Sequence, residues 1–360
     1  MKILITGVCG FVGSSIARYL TESLQGVSII GIDNLSRKGS EWNRDGLRSL
    51  KVQVIHGDVR LASDLECIPK VDWVIDAAGY PSVLGGSTGN CTSRQLFEHN
   101  LLGTINLLEF CRKHSSGFLF LSSSRVYSIA ELQKLTLSVI DDAYHFEPTA
   151  ERSGVGARGI SESFSTQAPV SMYGASKLSS ELIATEYGLT YDFPVWINRC
   201  GLMAGAGQFG RPDQGIIAFW IHSHCHRRPL QYIGFGGSGN QVRDVLHPDD
   251  LSKLVVKQIH STGSARQSNP EGRPIVCNVA GGSTAAISLR QLSHWCDARF
   301  GIHIVDPSDA ERPFDLPWVV LDSALAKSHW DWQPEVPCEA VLEEIALHAE
   351  SHPNWLELSN

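Results

Sequence analysis

The sequence predicts an α/β fold, in which a doubly wound parallel sheet precedes a smaller, mixed C-terminal region. Short apolar runs alternate with helical stretches through the first half of the chain, and this strand–helix–strand order implies right-handed crossovers and a parallel sheet. Runs such as Trp73-Val74-Ile75 are almost entirely apolar, as expected of strands covered on both faces. After about residue 200, glycine and proline become frequent, which indicates a loop-rich second part.

Each element is predicted from its own pattern. Val12–Ser23 and Ser93–His114 have helical spacing, and a third helix is expected from about residue 172. The polar insertion at about 128–165 has no clear period, so it is expected either to fold over the functional site or to pack beside it. The predicted strands are Lys2–Thr6, Val27–Asp33, Val52–His56, Trp73–Ala77, Phe118–Ser122 and Val195–Asn198.

The charge, the apolar runs and the cysteines of the sequence indicate which kinds of partner and which cellular compartment to expect. A net charge of −8 without a long basic run argues against nucleic acid as the main partner. No apolar stretch approaches the roughly 20 residues of a membrane span, so no membrane association is expected. The nine cysteines are scattered and odd in number, which fits reduced thiols and a cytoplasmic location. His222, His224, Cys225 and His226 lie in a predicted helix that would splay them over different faces, so no metal site is predicted.

A glycine motif joins the first predicted strand to the first helix. Gly7, Gly10 and Gly13 have the spacing G-x-x-G-x-x-G, and this context is typical of the Rossmann-type turn that holds a dinucleotide pyrophosphate at a helix N-terminus. Asp33 ends the second strand, where its carboxylate is expected to accept from ribose hydroxyls and to repel a 2′-phosphate. The motif therefore favours NAD over NADP.

Other residues are predicted to contact the same cofactor. Asp58 follows the third strand and is expected near the adenine, although Asp33 and Asp58 could each be a solvated loop acid. Residues 1–198 are accordingly predicted to form an NAD-binding domain, and 199–360 a mostly substrate-binding domain with segments that can return to the first. The predicted cofactor contacts are Gly7, Gly10, Phe11, Val12, Asp33, Asn34, Ser36, Arg37, Asp58, Val59, Ala77, Ala78, Gly79, Asn100, Tyr173 and Lys177.

Three residues are candidates for proton transfer. Tyr173 and Lys177 are four apart, which puts both on one face of a helix. A free phenol has a pKa of about 10, and the nearby ammonium is expected to lower it. Ser123, at the end of the fifth strand, is expected to hold a substrate hydroxyl while Tyr173 takes its proton and a hydride leaves for NAD. The alternative is an ordinary surface helix that carries a Tyr–Lys pair.

The motifs resemble those of the extended short-chain dehydrogenase/reductases, the NAD-dependent nucleotide-sugar epimerase and dehydratase family. The resemblance rests on T-G-x-x-G-F-x-G at 6–13, S-S-S-x-V-Y at 122–127 and Y-x-x-x-K at 173–177. It implies that Arg243 and Arg312 clamp a substrate diphosphate, although either could be a surface ion pair, and that the protein is a homodimer. The substrate contacts implied are Ser124, Arg199, Gln208, Gln214, Arg243 and Arg312.

Finer features resemble one branch of that family, which inverts C2 of a CDP-linked dideoxyhexose through a keto intermediate. Residues 34–39, residues 208–215 and the long insertion carry this likeness. The chain departs from common family patterns at Ser128, where glycine is usual, and at 199–205, which keeps the arginine of the family pattern R-x-x-N-x-Y-G as Arg199 but lacks its asparagine and tyrosine. Ser124-Arg125 stand where dehydratases have Asp-Glu, which favours epimerisation. Inversion at C4 of a UDP-sugar, a reductase or decarboxylase, and a non-catalytic NAD sensor remain alternatives.

Overall fold

The described part of the computed structural model covers residues 1–87, 91–148, 153–261 and 272–358. Its strands are β1 Lys2–Thr6, β2 Ser28–Asp33, β3 Gln53–His56, β4 Trp73–Asp76, β5 Gly117–Ser123, β6 Leu137–Ile140, β7 Ala143–Phe146, β8 Val155–Gly156, β9 Gly159–Ile160, β10 Val195–Cys200, β11 Leu202–Met203, β12 Gln231–Tyr232, β13 Val242–Leu246, β14 Val276–Val279, β15 Ala286–Ser288, β16 Asp306–Pro307 and β17 Trp318–Val319.

The helices connect and cover these strands. They are α1 Phe11–Ser23, α2 Asn43–Ser49, α3 Ala62–Glu66, α4 Ser93–Phe97, α5 Gly103–His114, α6 Ile129–Gln133, α7 Ser171–Tyr191, α8 Ile216–Cys225, α9 Pro248–Ser261, α10 Leu289–Phe300, α11 Ala324–Trp330, α12 Cys338–Ser351 and α13 Trp355–Leu358. None of the helices in the described ranges combines the length and apolar character needed to cross a bilayer.

A seven-stranded sheet in the order β14-β10-β5-β4-β1-β2-β3 forms the centre, and every pairing in it is parallel. Successive residues of β1 point to opposite faces, so Ile3 and Ile5 join one hydrophobic cluster and Leu4 joins the other. Helices α1 and α9 cover the first face, and α5 and α7 cover the second. The predicted doubly wound sheet and its six strands are confirmed.

The seventh strand, β14, is not among the six strands predicted, although segments of 199–360 were expected to be able to return to the first domain. It comes from the C-terminal part of the chain and pairs with β10 at the edge of the sheet. Four of the remaining C-terminal strands form a small mixed sheet, in which β13 pairs in parallel with β11 and β17 and antiparallel with β15, whereas β12 and β16 pair with each other. This small sheet lies beside the central sheet. Residues on its strands line the side of the main cavity opposite the central sheet.

The predicted helix Ser93–His114 is interrupted in the structure. Residues Glu98–Leu102 form a π-helical turn between α4 and α5. At this turn Asn100 directs its side chain out of the helix, where it accepts from the Tyr80 amide and donates to Ser176. Such turns occur often at functional sites, and a regular helix would aim this amide elsewhere.

The described part of the insertion packs beside the site. It forms α6 and the hairpins β6–β7 and β8–β9, and it buries Phe146 against Trp318 of the small sheet with ring centres 5.6 Å apart. None of its described residues lines the main cavity. Of the two arrangements considered from sequence, the structure has the second.

Candidate active site

A cavity of about 470 Å³ opens at the carboxyl ends of the central strands. It lies between β1 and β4, where the order in which strands are added to the sheet reverses, and this is where doubly wound sheets bind ligands. Most of the predicted site residues line it, and Asp58, Asn100 and Arg199 do not. Those in the lining are Gly7, Gly10, Phe11, Val12, Asp33, Asn34, Ser36, Arg37, Val59, Ala77, Ala78, Gly79, Ser123, Ser124, Tyr173, Lys177, Gln208, Gln214, Arg243 and Arg312.

The glycine turn brings bare main chain to the cavity. Gly7 has φ +61°, and a Cβ there would lie 2.9 Å from the Cα of Ala78. A Cβ on Gly13 would lie 2.2 Å from the carbonyl oxygen of Gly7, so α1 packs against the turn only without a side chain. The first turn of α1 therefore faces the cavity with free amides, which suits a pyrophosphate.

Asp33 holds this turn as well as facing the cavity. Its Oδ2 accepts from the Cys9 amide at 2.8 Å and its Oδ1 from the Leu35 amide at 2.8 Å. Burial raises the pKa of Asp33, and these hydrogen bonds oppose the rise. The nearby hydroxyl of Ser40 lines the same cavity, is buried, and has no hydrogen-bond partner among the described residues. The main-chain amides of the glycine turn fit the diphosphate of NAD. The carboxylate of Asp33 and the unpaired hydroxyl of Ser40 fit its ribose.

Asp58 lies behind this surface rather than in it. Its carboxylate bonds Arg60 through Oδ1 at 2.9 Å and Oδ2 at 2.6 Å, and it also accepts from Asn34 at 3.0 Å. Burial raises the pKa of Asp58, but these bonds outweigh it and hold the pKa well below its usual value. The carboxylate thus orients Asn34, whereas the next residue, Val59, lines the cavity.

A segment of the C-terminal region closes over the loop that follows β2. Arg37 Nη1 donates to Gln214 at 2.9 Å, and its Nη2 donates to the Phe209 carbonyl. Ser82 donates to Asp213 at 3.0 Å and makes a second link. These bonds join the two walls of the cavity at its Asp33 end.

The three predicted catalytic residues converge on one wall. Ser123 ends β5, and its side chain acts on the phenol of Tyr173, which lies in the first turn of α7, by lowering the pKa of that phenol. One turn later, Lys177 donates to the Leu121 carbonyl at 2.9 Å and lies 4.5 Å from the centre of the Phe120 ring. Tyr173 and Lys177 are both more than nine-tenths buried. A hydroxyl, a phenol and an ammonium are thereby held at the edge of the cavity.

The electrostatics of Tyr173 differ from the expectation from sequence. Burial raises its pKa to about 12, opposed by the hydrogen bond from Ser123 and the positive charge of Arg125. Burial lowers the pKa of Lys177, whereas buried Asp76 raises it. On balance the pKa of Tyr173 is raised rather than lowered, because burial of the phenol outweighs these opposing effects, and the ammonium of Lys177 bonds the Leu121 carbonyl.

Asp76 is a structural residue of the site that the sequence analysis missed. Its side chain is fully buried at the end of β4, and it accepts from Thr6 and Thr104, each at 2.8 Å. Thr6 in turn accepts from the Ala78 amide at 3.0 Å. The one feature of the sequence that could have indicated its role is that an acidic residue ends the otherwise apolar strand β4. Asp76 fixes the loop after β4 and places a carboxylate near Lys177.

The other end of the cavity is rich in guanidinium groups. Arg243 on β13 donates to Asp315 at 3.0 Å, and Arg312 lies in the same lining. Gln208 packs against Gly215 in the segment that bonds Arg37, and it donates to the Met203 carbonyl at 2.8 Å, whereas its Oε1 has no partner among the described residues. Arg125 also lines this end of the cavity. In the sequence it was considered only as one of the two residues that replace the Asp-Glu pair of dehydratases. Forked donors of this kind suit a diphosphate.

Arg199 is not brought to the cavity. It lies on β10 and forms a bidentate ion pair with Glu181 of α7, with Nη2 2.7 Å from Oε2 and both side chains buried. Its guanidinium also lies 5.1 Å from the centre of the Tyr127 ring. The resemblance implied that Arg199 contacts the substrate. In the structure Arg199 instead joins α7, the helix that carries Tyr173 and Lys177, to β10 of the central sheet.

Fold and site together define a dinucleotide-dependent enzyme that moves protons and hydride at a carbon bearing a hydroxyl. The chain belongs to the NAD dependent epimerase/dehydratase family, whose sequence profile matches residues 3–269. It is 31% identical to the CDP-paratose 2-epimerase of Salmonella typhi over 96% of this chain and 98% of that protein. It is 28% identical to a probable dTDP-glucose 4,6-dehydratase of Sinorhizobium fredii over 81% of this chain and 77% of that one.

Solved structures have the same fold. The UDP-glucuronic acid 4-epimerase of Bacillus cereus, in complex with UDP-glucuronic acid and NAD, superposes with a TM-score of 0.76 at 24% identity, covering 98% of this chain and 99% of that one. The UDP-glucose 4-epimerase of Bifidobacterium longum, in complex with NAD⁺ and UDP, gives 0.79 at 22% identity, covering 99% and 100%. NAD is the cofactor of this family, and the residues of the Asp33 end of the cavity fit it.

Proposed function

We propose that this protein is a nucleotide-sugar epimerase rather than a dehydratase. The proposal rests on the residues beside the proton-transfer pair Ser123 and Tyr173. The two residues that follow Ser123 in the chain are Ser124 and Arg125, and both line the cavity. Elimination of water needs an acid–base pair beside the reacting carbon, and neither a serine nor a half-buried arginine is suited to that work at neutral pH. Removal and return of hydrogen at one carbon needs only the groups that are present.

The chain's own residues divide the work of proton transfer. Tyr173 takes the proton from a ring hydroxyl that Ser123 holds, and it returns the proton once the ring has turned over. Lys177 has three donor hydrogens, so it can bond the Leu121 carbonyl and still hold a ribose hydroxyl of the cofactor. Bound NAD accepts a hydride from the ring carbon and returns it to the opposite face, so it is not consumed.

The proposed substrate is a CDP-linked dideoxyhexose, inverted at C2. Its support is the likeness to the CDP-paratose 2-epimerase along nearly the whole of both chains. The stretches at 34–39 and 208–215, which resemble that branch of the family in sequence, meet in the structure, because Arg37 donates both to Gln214 and to the Phe209 carbonyl. A UDP-sugar 4-epimerase is the second candidate, because the same proton-transfer groups would serve at C4.

The test is to incubate the full chain with CDP-, UDP-, GDP- and dTDP-sugars in deuterated water and to follow the ring protons by NMR. We expect one ring proton of a CDP-dideoxyhexose to change its coupling at C2, with no deuterium at the inverted carbon. Deuterium at that carbon would contradict a hydride route. Steady accumulation of reduced nicotinamide would favour a reductase or decarboxylase, and a 4-keto-6-deoxy product from dTDP-glucose would establish a dehydratase.

The proposal extends to a cytoplasmic homodimer. All nine cysteines are unpaired, which suits a reducing compartment. Leu182 and Leu189 are two turns apart on α7 and are 65% and 60% exposed, so they form an apolar stripe on the face turned away from the sheet. A second copy of α7 would cover this stripe.

Leu182→Glu is expected to convert the dimer into a monomer, because it puts a charge into a buried interface. Size-exclusion chromatography with light scattering measures the mass directly. Ile302→Glu is the matched control, since Ile302 is 85% exposed elsewhere and its replacement should leave the mass unchanged. A wild-type protein of monomer mass at micromolar concentration would contradict the dimer.

A further inference from the structure

Residues 208–215, here called the strap, connect β11 to α8, and several of them line the cavity at its Asp33 end. Arg37, from the loop after β2, fastens one part of the strap. Its guanidinium donates to the Gln214 side chain at 2.9 Å and to the Phe209 carbonyl. Because these residues line the cavity together with Asp33, the strap lies beside the place where a ribose of NAD is expected.

A second fastening joins the strap to the loop after β4. Ser82 is buried in that loop and donates to Asp213 of the strap at 3.0 Å. In the central sheet β1 lies between β2 and β4, so bonds to the loops after both of these strands place the strap across the carboxyl end of β1. The glycine turn follows β1, and its amides are expected to hold the diphosphate of NAD. The strap therefore spans the part of the cavity that suits the cofactor.

Helix α13 holds the strap from outside the cavity. Phe209 is 4% exposed, and its ring packs so closely on the loop after β2 that a Cβ on Gly39 would lie 2.8 Å from it. Trp355 of α13 stacks on the same ring, with ring centres 5.3 Å apart and planes 15° from parallel. The indole of Trp355 also donates to the Gln208 carbonyl at 2.9 Å. Trp355 does not line the cavity, so it can act on a ligand there only through the residues that it holds.

We propose that the strap is a gate for the cofactor. NAD enters and leaves the cavity when the strap separates from the loops after β2 and β4, and the contact of Trp355 with Phe209 limits how often this separation occurs. All of the contacts that hold the strap join one part of the chain to another, so they form with or without NAD. The proposal uses the NAD dependence of the family, and it does not depend on which sugar is epimerised.

A gate of this kind acts on rates rather than on affinity. Opening is needed both for entry and for release, so a change that eases opening raises the two rates by the same factor. The dissociation constant of NAD is the ratio of the release rate to the entry rate, so it stays unchanged. A residue that touches NAD behaves differently, because its loss raises the release rate and the dissociation constant in the same proportion.

The test measures both quantities in the full chain without any sugar. Protein loaded with NAD is mixed with excess isotopically labelled NAD, and the label that stays with the protein after gel filtration gives the release rate. Equilibrium dialysis against NAD gives the dissociation constant. Trp355→Leu removes an aromatic contact and a hydrogen bond, so it is expected to raise the release rate about tenfold and to leave the dissociation constant within about twofold.

Two further variants complete the test. Ser82→Ala removes the other fastening by a small change in a residue that does not line the cavity, and it should raise the release rate several-fold even if Trp355→Leu does not fold. Trp295→Leu makes the same substitution on α10, where Trp295 packs against Phe300, and it should release NAD at the unsubstituted rate. Unchanged release in Trp355→Leu or Ser82→Ala, an equal acceleration in Trp295→Leu, or a dissociation constant that rises in step with release would overturn the proposal.

Discussion

Tyr173→Phe is expected to lower kcat for epimerisation by between about 10² and 10⁴-fold, the usual contribution of a positioned acid–base group. The phenyl ring keeps the packing of Tyr173 against Leu96 and Cys91, so the first turn of α7 should stay in place. What is lost is the oxygen that receives the substrate proton. Initial rates, measured by NMR on the substrate identified in the incubation experiment, test this directly.

Tyr187→Phe is the matched control. Tyr187 lies on the same helix, but its hydroxyl donates to Glu109 at 2.6 Å, away from the cavity. It should therefore keep the unsubstituted rate. The NAD content of each purified protein should be equal, because neither change touches the glycine turn or Asp33. Activity in Tyr173→Phe equal to that of the control would remove the phenol from the mechanism.

Local pattern was enough to predict the sheet and the catalytic wall. Each of the six predicted strands is a short, mainly apolar run between turn residues, and each lies in the central sheet, where only the edge strand β3 lacks a buried residue. Tyr173 and Lys177 face the same side because four residues make about one helical turn. The glycine turn followed from its position between a strand and a helix. These features depend on residues close together in the chain, which the sequence displays.

Features that depend on distant residues could not be predicted in the same way. β14 is a four-residue strand whose role comes from pairing with β10, far back in the chain. The direction in which the pKa of Tyr173 shifts depends on burial by Cys91 and Leu96 and on the charge of Arg125, and spacing contains no measure of burial. Arg199 stands in a family motif, so only its tertiary partner, Glu181, reveals what it contacts.

Arg199→Met is expected to lower the free energy of unfolding by about 3–5 kcal/mol, the usual effect of removing one partner of a buried ion pair. The change leaves the Glu181 carboxylate buried on α7, where it also accepts from Ser122 at 2.5 Å. The pair joins α7 to β10, so its loss should loosen the helix that carries Tyr173 and Lys177. Chemical denaturation, followed by circular dichroism, measures the effect.

Arg48→Met is the exposed comparison. Arg48 pairs with Asp45, whose side chain is 94% exposed, so its loss should cost less than about 1 kcal/mol. The double variant Glu181→Gln, Arg199→Met should lose less stability than the two single changes added together, because no unpaired charge remains buried. Undiminished stability in Arg199→Met, with a raised KM for the sugar nucleotide, would instead make Arg199 a substrate contact as its motif implied. The two roles affect different kinetic constants. An ion pair that joins α7 to β10 affects kcat, because it places Tyr173. A substrate contact affects KM, because it contributes to binding of the sugar nucleotide.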